Sequence, residues 1–70
     1  MNASSLKTSK RLQRVDKVLA DRKPHTTRDI ARKAHVCAVN SCVDELREPK
    51  NGRNIIGWWE GRKFYYRRVK

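Results

Sequence analysis

The hydrophobic period of this chain changes once, at Asn51-Gly52. Before that point apolar residues recur at helical spacing, and after it β-branched and aromatic residues crowd into two short runs. The clearest helical stripe lies in CAVNSCVDELRE, residues 37–48. Val39, Cys42, Val43 and Leu46 fall there at i, i+3, i+4 and i+7, a complete core face. Pro49 stops that helix. Asn51-Gly52 then supplies a turn, because both residues tolerate positive φ. The runs 54–59 and 62–69 read as strands joined at Glu60-Gly61, a tight hairpin connection. Pairing about that turn puts Ile55, Trp59, Phe64 and Tyr66 on one face, the expected core side. Ile56, Trp58, Lys63, Tyr65 and Arg67 take the other.

Two helices precede the stripe. Between Leu6 and Arg22, Leu12, Val15, Val18 and Leu19 follow helical spacing, with Lys7, Lys10, Arg11, Arg14 and Lys17 largely off that stripe. Lys23-Pro24 ends the helix, because a residue before proline avoids the α region. Thr26 with Asp29 three residues later makes a capping-box pattern. It opens a helix of about two turns with Ile30, Ala31 and Ala34 inward, and His35-Val36-Cys37 is the turn that follows. Residues 1–5 are expected to fray, which leaves one domain over residues 6–70. The expectation is an α+β fold: a three-helix core closed by a C-terminal two-stranded hairpin. A chain of 70 residues buries only about 60% of its unfolded surface. Its thin core is expected to recruit at least one of Trp58 and Trp59.

Charge narrows the partners. Eighteen Lys and Arg against seven acids give a net charge of +11. Such an excess points to nucleic acid, an anionic membrane or an acidic protein. No apolar run approaches the roughly 20 residues that span a bilayer, and MNASSLKTSK lacks a signal-peptide apolar region. A cytoplasmic, nucleoid-associated location is expected, with no membrane partner. Cys37 and Cys42, five apart on one helix, lie beyond disulfide reach and read as free thiols. With His25 and His35 they lack the spacing of a zinc site. No metal, cofactor or catalytic constellation is expected.

The charge is unevenly placed. Residues 1–33 carry +7 and residues 50–70 carry +6, whereas residues 34–49 carry −2. Phosphate attraction therefore belongs to the first two helices and the hairpin. Asp44, Glu45 and Glu48 are expected to point away from a nucleic acid or to pair with nearby bases.

The run VNSCVDELRE, then Asn51-Gly52, Asn54-Ile55 and finally FYYRRV, resembles the winged helix-turn-helix DNA-binding domain of the biotin-repressor type. Small phage and mobile-element regulators share this layout. The resemblance covers about residues 24–69. The chain departs from it in having His35 where a glycine is usual, about two residues fewer before the third helix, and Arg68 where leucine is frequent. The resemblance implies that the start of the third helix enters a major groove, with Ala38, Asn40, Ser41 and Asp44 facing outward. Asn40 would pair with adenine N6 and N7, Ser41 with several edges, and Ala38 with a thymine methyl. Thr26, Thr27 and Arg28 at a helix N-terminus favour phosphate. Arg62 and Lys63 on the wing would follow the minor groove or the backbone, and Trp58 or Trp59 could stack on a base or a partner. Lys33 and Arg53 complete the DNA-facing set, with Lys7, Lys10 and Arg14 as phosphate candidates. The implied function is sequence-specific, non-catalytic binding of double-stranded DNA by a repressor-like regulator, as a monomer or weak homodimer. The alternatives are a recombination accessory factor, or a winged helix that binds and inhibits a host protein through its acidic helix and tryptophans. A structural RNA-binding role also stays open, because basic charge alone does not separate RNA from DNA.

Overall fold

Ser9 starts the first helix: its hydroxyl accepts a hydrogen bond from the Leu12 N–H at 3.2 Å. The computed structural model describes residues 5–69. It contains α1 (Lys10–Leu19), β1 (His25–Thr26), α2 (Thr27–Ala34), α3 (Val39–Arg47), β2 (Ile55–Glu60) and β3 (Lys63–Arg68). Three helices pack with a three-stranded antiparallel sheet of order β1-β3-β2.

Helix α1 is shorter than the 6–22 span its spacing predicts. Residues 5–9 form a turn in which the Ser5 carbonyl accepts from the Thr8 and Ser9 N–H groups. Residues 1–4 of the segment expected to fray, and Lys70 of the 6–70 domain, lie outside the described residues. At the other end Arg22 takes a left-handed φ of 61°, which turns the chain before Pro24 is reached. Helix α2 opens as expected, with the Thr26 hydroxyl accepting from the Asp29 N–H at 3.0 Å. His35 ends it in the left-handed conformation, φ 54° and ψ 47°. A C-terminal cap of this kind favours glycine, the residue the resemblance expects there. Helix α3 begins at Val39, so Cys37 precedes it and lies exposed, while Cys42 is buried; both thiols are free.

Leu12, Val15, Leu19, Ile30, Ala34, Val36, Val39, Cys42, Val43 and Leu46 form the buried cluster between the helices, closed by Ile55 and Tyr66 from the sheet. Each large aliphatic chain taken out of water there contributes about 1.5–3 kcal/mol. Asn51 ties the turn before α1 to the last turn of α3. Its Oδ1 accepts from the Leu6 N–H at 2.8 Å and its Nδ2 donates to the Glu45 carbonyl at 2.7 Å. Only Gly52 of the Asn51-Gly52 pair takes a positive φ, 64°. Asn51 acts through its side chain.

The sheet departs from the expected two-stranded hairpin. His25 and Thr26 add a third strand, paired with Tyr66 and Tyr65 of β3. Two residues are too few for an alternating pattern to show. The hairpin loop is Gly61-Arg62, with Gly61 at φ 63° in the first loop position. The expected core face holds for Ile55 and Tyr66, which are buried, and for Phe64, which packs against the cluster. Neither tryptophan enters the core. Trp59 shares that face but is 71% exposed, because it stands near the hairpin tip. Trp58, on the opposite face, stacks on Tyr65 with ring centroids 5.8 Å apart.

Arg68, on the inward face, approaches Asp16 of α1 at 3.8 Å, and Arg53 reaches the same carboxylate at 2.7 Å. The strands are thus tied to α1 by charge where leucine would have given apolar contact. Gly57 keeps the sheet's aromatic face intact: a Cβ there would lie 2.7 Å from Phe64 Cε2 and 3.1 Å from Tyr66 Cε1. Gly57→Ala is expected to displace both rings and lower stability by about 1–3 kcal/mol in denaturant unfolding. His35→Gly is expected to raise the melting temperature and His35→Val to lower it, the two differing by about 1–2 kcal/mol.

Candidate functional site

The start of α3, the start of α2 and the tip of the hairpin face one furrow made of three adjoining hollows. The largest, about 470 Å³, lies between Thr26, Thr27, Arg28 and Asp29 on one side and Trp59, Arg62, Lys63 and Phe64 on the other. A second, about 300 Å³, lies among Thr27, Asn40, Trp59, Phe64 and Tyr66. A third of similar size, about 300 Å³, runs past Cys37, Ala38, Asn40 and Ser41. Thr27 borders all three, and its hydroxyl donates to the Phe64 carbonyl at 3.4 Å, linking α2 to the hairpin.

The charge in the furrow is positive. Arg28, Arg62 and Lys63 are exposed against one acid, Asp29. No ion pair among the described residues engages those three cations. No side chain caps α3, whose preceding residue is Ala38, so the helix presents its first N–H groups without a side-chain acceptor. Asn40 is exposed on the first turn and its Oδ1 accepts from the Tyr66 hydroxyl at 2.7 Å. Burial pushes the Tyr66 hydroxyl pKa upward, against a smaller opposing pull from Arg47, so at neutral pH it remains a donor.

Thr27, Arg28, Ala38, Asn40, Ser41, Arg62 and Lys63 therefore converge. Lys7, Lys10, Arg14, Lys33 and Arg53 do not line the furrow. Lys10 and Arg14 border a separate hollow on α1 with Gln13 and Lys17, and the Arg14 guanidinium donates to the Ala34 carbonyl at 2.7 Å. Lys7 lies exposed in the turn before α1, and Lys33 is exposed on α2. Arg53 is committed to Asp16, whose hydrogen bond raises the arginine's pKa further. Thr26 serves as the α2 cap while also bordering the furrow.

Sequence reasoning leaves Phe64 and Tyr66 out of the site and names Trp59 only as one of two tryptophans that could stack. The signal that could have joined them was their shared face, since alternation placed Trp59, Phe64 and Tyr66 together. Trp59 meets Phe64 edge-on with centroids 5.3 Å apart, and Phe64 meets Tyr66 likewise at 5.0 Å.

The acids of α3 are largely internal partners. Glu45 bridges to Arg11 of α1 at 3.1 Å, and Asp44 pairs with Arg47 one turn on at 3.5 Å. No group of metal-ligating side chains occurs among the described residues, and no helix there is long and apolar enough to cross a membrane. Comparison with known proteins returns no matching family model, no curated relative and no similar solved structure.

The two thiols differ in environment. Cys37 is exposed at the furrow, whereas burial raises the pKa of Cys42. A thiol reagent at neutral pH is expected to label Cys37 rapidly and Cys42 only at the rate of unfolding, read by mass spectrometry as one fast and one slow adduct.

Proposed function

We propose that this domain is a winged helix-turn-helix module that binds double-stranded DNA with sequence preference and without catalysis, as a repressor-like regulator. The observation that carries the reading is the furrow. It brings the first turn of a short helix and the tip of a hairpin onto one cationic surface, with Arg28, Arg62 and Lys63 unpaired among the described residues. Two further features support it. A short strand between α1 and α2 pairs with β3 in the order β1-β3-β2, as a wing packed on a helix-turn-helix requires. The turn after α2 is left-handed at His35, the position where the resembling family carries glycine.

On this reading α3 enters the major groove with Ala38, Asn40 and Ser41 at base edges. Thr27 and Arg28 hold a phosphate at the α2 N-terminus. Arg62 and Lys63 follow the backbone beside it, and Trp59 packs against the same strand. The lysines on α1 add long-range attraction. Asp44 and Glu45 do not oppose binding, because Arg47 and Arg11 offset them.

Titration of labelled duplexes over a range of salt tests the proposal. Affinity is expected to fall with salt, with a log–log slope of about −0.9 for each phosphate engaged. Arg62→Ala and Lys63→Ala are each expected to weaken binding to every sequence alike and to reduce the slope by about one. Asn40→Ala is expected to cost about 1–3 kcal/mol on the best duplex and almost nothing on unrelated ones. A slope near zero, or equal affinity for all duplexes, would contradict the proposal.

A second reading is favoured by the 71% exposure of Trp59: exposed aromatics anchor protein interfaces. It predicts that the domain ignores duplexes even at about 50 mM salt, where phosphate attraction is strong.

A further inference from the structure

Helix α1 carries charge that the furrow does not use. Lys10, Arg14 and Lys17 line a hollow of about 360 Å³ together with Gln13. We infer that this stripe is a second DNA contact, which holds the phosphate backbone of another duplex segment, so that one domain bridges two segments. The inference rests on the DNA-binding reading above and goes beyond it.

The stripe follows from the helical period. Leu12, Val15 and Leu19 are the buried side of α1. At about 100° per residue, positions 10, 14 and 17 fall together on the side roughly opposite, and all three residues are exposed. The flanks of the helix are where its charge is offset. Arg11 bridges to Glu45 of α3, and Asp16, the only acid of the helix, meets Arg53 and Arg68. No ion pair among the described residues engages Lys10, Arg14 or Lys17. Arg14 Nε donates to the Ala34 carbonyl at 2.7 Å, which fixes the guanidinium without cancelling its charge. Gln13 donates to the Leu6 and Lys7 carbonyls at 3.0 and 3.2 Å, which holds the turn with exposed Lys7 beside the stripe.

The chemistry of the stripe selects its partner. None of its lining residues is apolar, and the apolar side of α1 is buried in the core. A membrane-surface helix needs its apolar side free to enter the lipid, and protein interfaces are anchored by aromatic residues. A row of cations without either suits a polyanion held by charge alone. Lys10 to Lys17 spans about 10 Å of helix, a length over which one DNA strand presents about three phosphates. No α1 residue lines the furrow, so the two cationic surfaces are separate. The domain between them measures only 35 × 23 × 22 Å. At about 0.1 M salt the screening length is about 10 Å, so a net charge of +11 offsets much of the repulsion between two duplexes held on it.

The test mixes the protein with an excess of a duplex of about 15 base pairs at about 50 mM salt, where phosphate attraction is strong. Sedimentation velocity is expected to show one protein carrying two duplexes. Added salt is expected to remove the second duplex with a log–log slope of about −2.7, three phosphates at about −0.9 each. The double variant Lys10→Gln with Lys17→Gln keeps good helix formers at both exposed positions. It is expected to weaken the second step about 10- to 100-fold and to stop at a one-to-one complex. Its first step is expected to weaken alike on every sequence, through lost long-range attraction. A second duplex retained by the double variant, a wild type that stops at one-to-one, or a complex of two proteins with two duplexes overturns the inference and leaves DNA binding intact. A wild type that takes no second duplex but binds phosphatidylserine vesicles through these lysines assigns the stripe to a membrane and overturns it too. No duplex bound at any salt overturns both readings.

Discussion

Tyr66 is the residue through which core, sheet and candidate surface meet. Its backbone sits in the central strand, between His25 of β1 and Gly57 of β2. Its ring closes the helical core, and its hydroxyl reaches Asn40 on the first turn of α3. The contact works because Gly57 carries no side chain: a Cβ would press on Tyr66 and Phe64. A glycine in one strand thus sets where the aromatic rings of the next can lie. Those rings in turn set the orientation of a helix residue far away in sequence. A small domain can align an exposed amide in this way without much buried area, because the hydrogen bond is made by a group that packing already holds.

The arginines divide the labour of a strongly basic chain. Arg11, Arg14, Arg47, Arg53, Arg67 and Arg68 are engaged with carboxylates or backbone carbonyls of the domain itself. Their planar guanidinium groups join α1 to α3, α1 to the sheet, and β3 to the α1–β1 turn. Lysine, a flexible point charge, is ill suited to such fixed geometry. The count of eighteen Lys and Arg therefore overstates the cationic groups free to contact a partner, although the net charge stays +11. What remains on the furrow is a small set of cations at defined places.

Much of the framework was legible in the sequence, and the limits have physical causes. The α3 stripe and the Thr26 cap rest on local rules, of period or of one side chain bonding a nearby N–H, and appear as read; the hairpin appears with its loop one residue later, at Gly61-Arg62, and its core face holds for Ile55, Phe64 and Tyr66. Strand β1 escaped because two residues carry no period. Trp59 was misjudged because hydrophobicity says nothing of distance from the helices, and a residue near a hairpin tip outruns the core. Arg53 was placed in the DNA-facing set because its partner, Asp16, is remote in the chain. Within the candidate site, Asn40 and Arg62 were visible as exposed polar types at suggestive positions. The Tyr66 hydroxyl behind Asn40 was not, since that bond joins residues 26 positions apart.

The furrow is the surface proposed to contact DNA. Amide chemical-shift mapping on titration with a short duplex tests this most directly. The largest changes are predicted at Thr27, Arg28, Asn40, Ser41, Arg62 and Lys63, with the Trp59 indole N–H shifting alongside them. Changes confined to Lys10, Gln13, Arg14 and Lys17 on α1, or no changes at low salt, would contradict it.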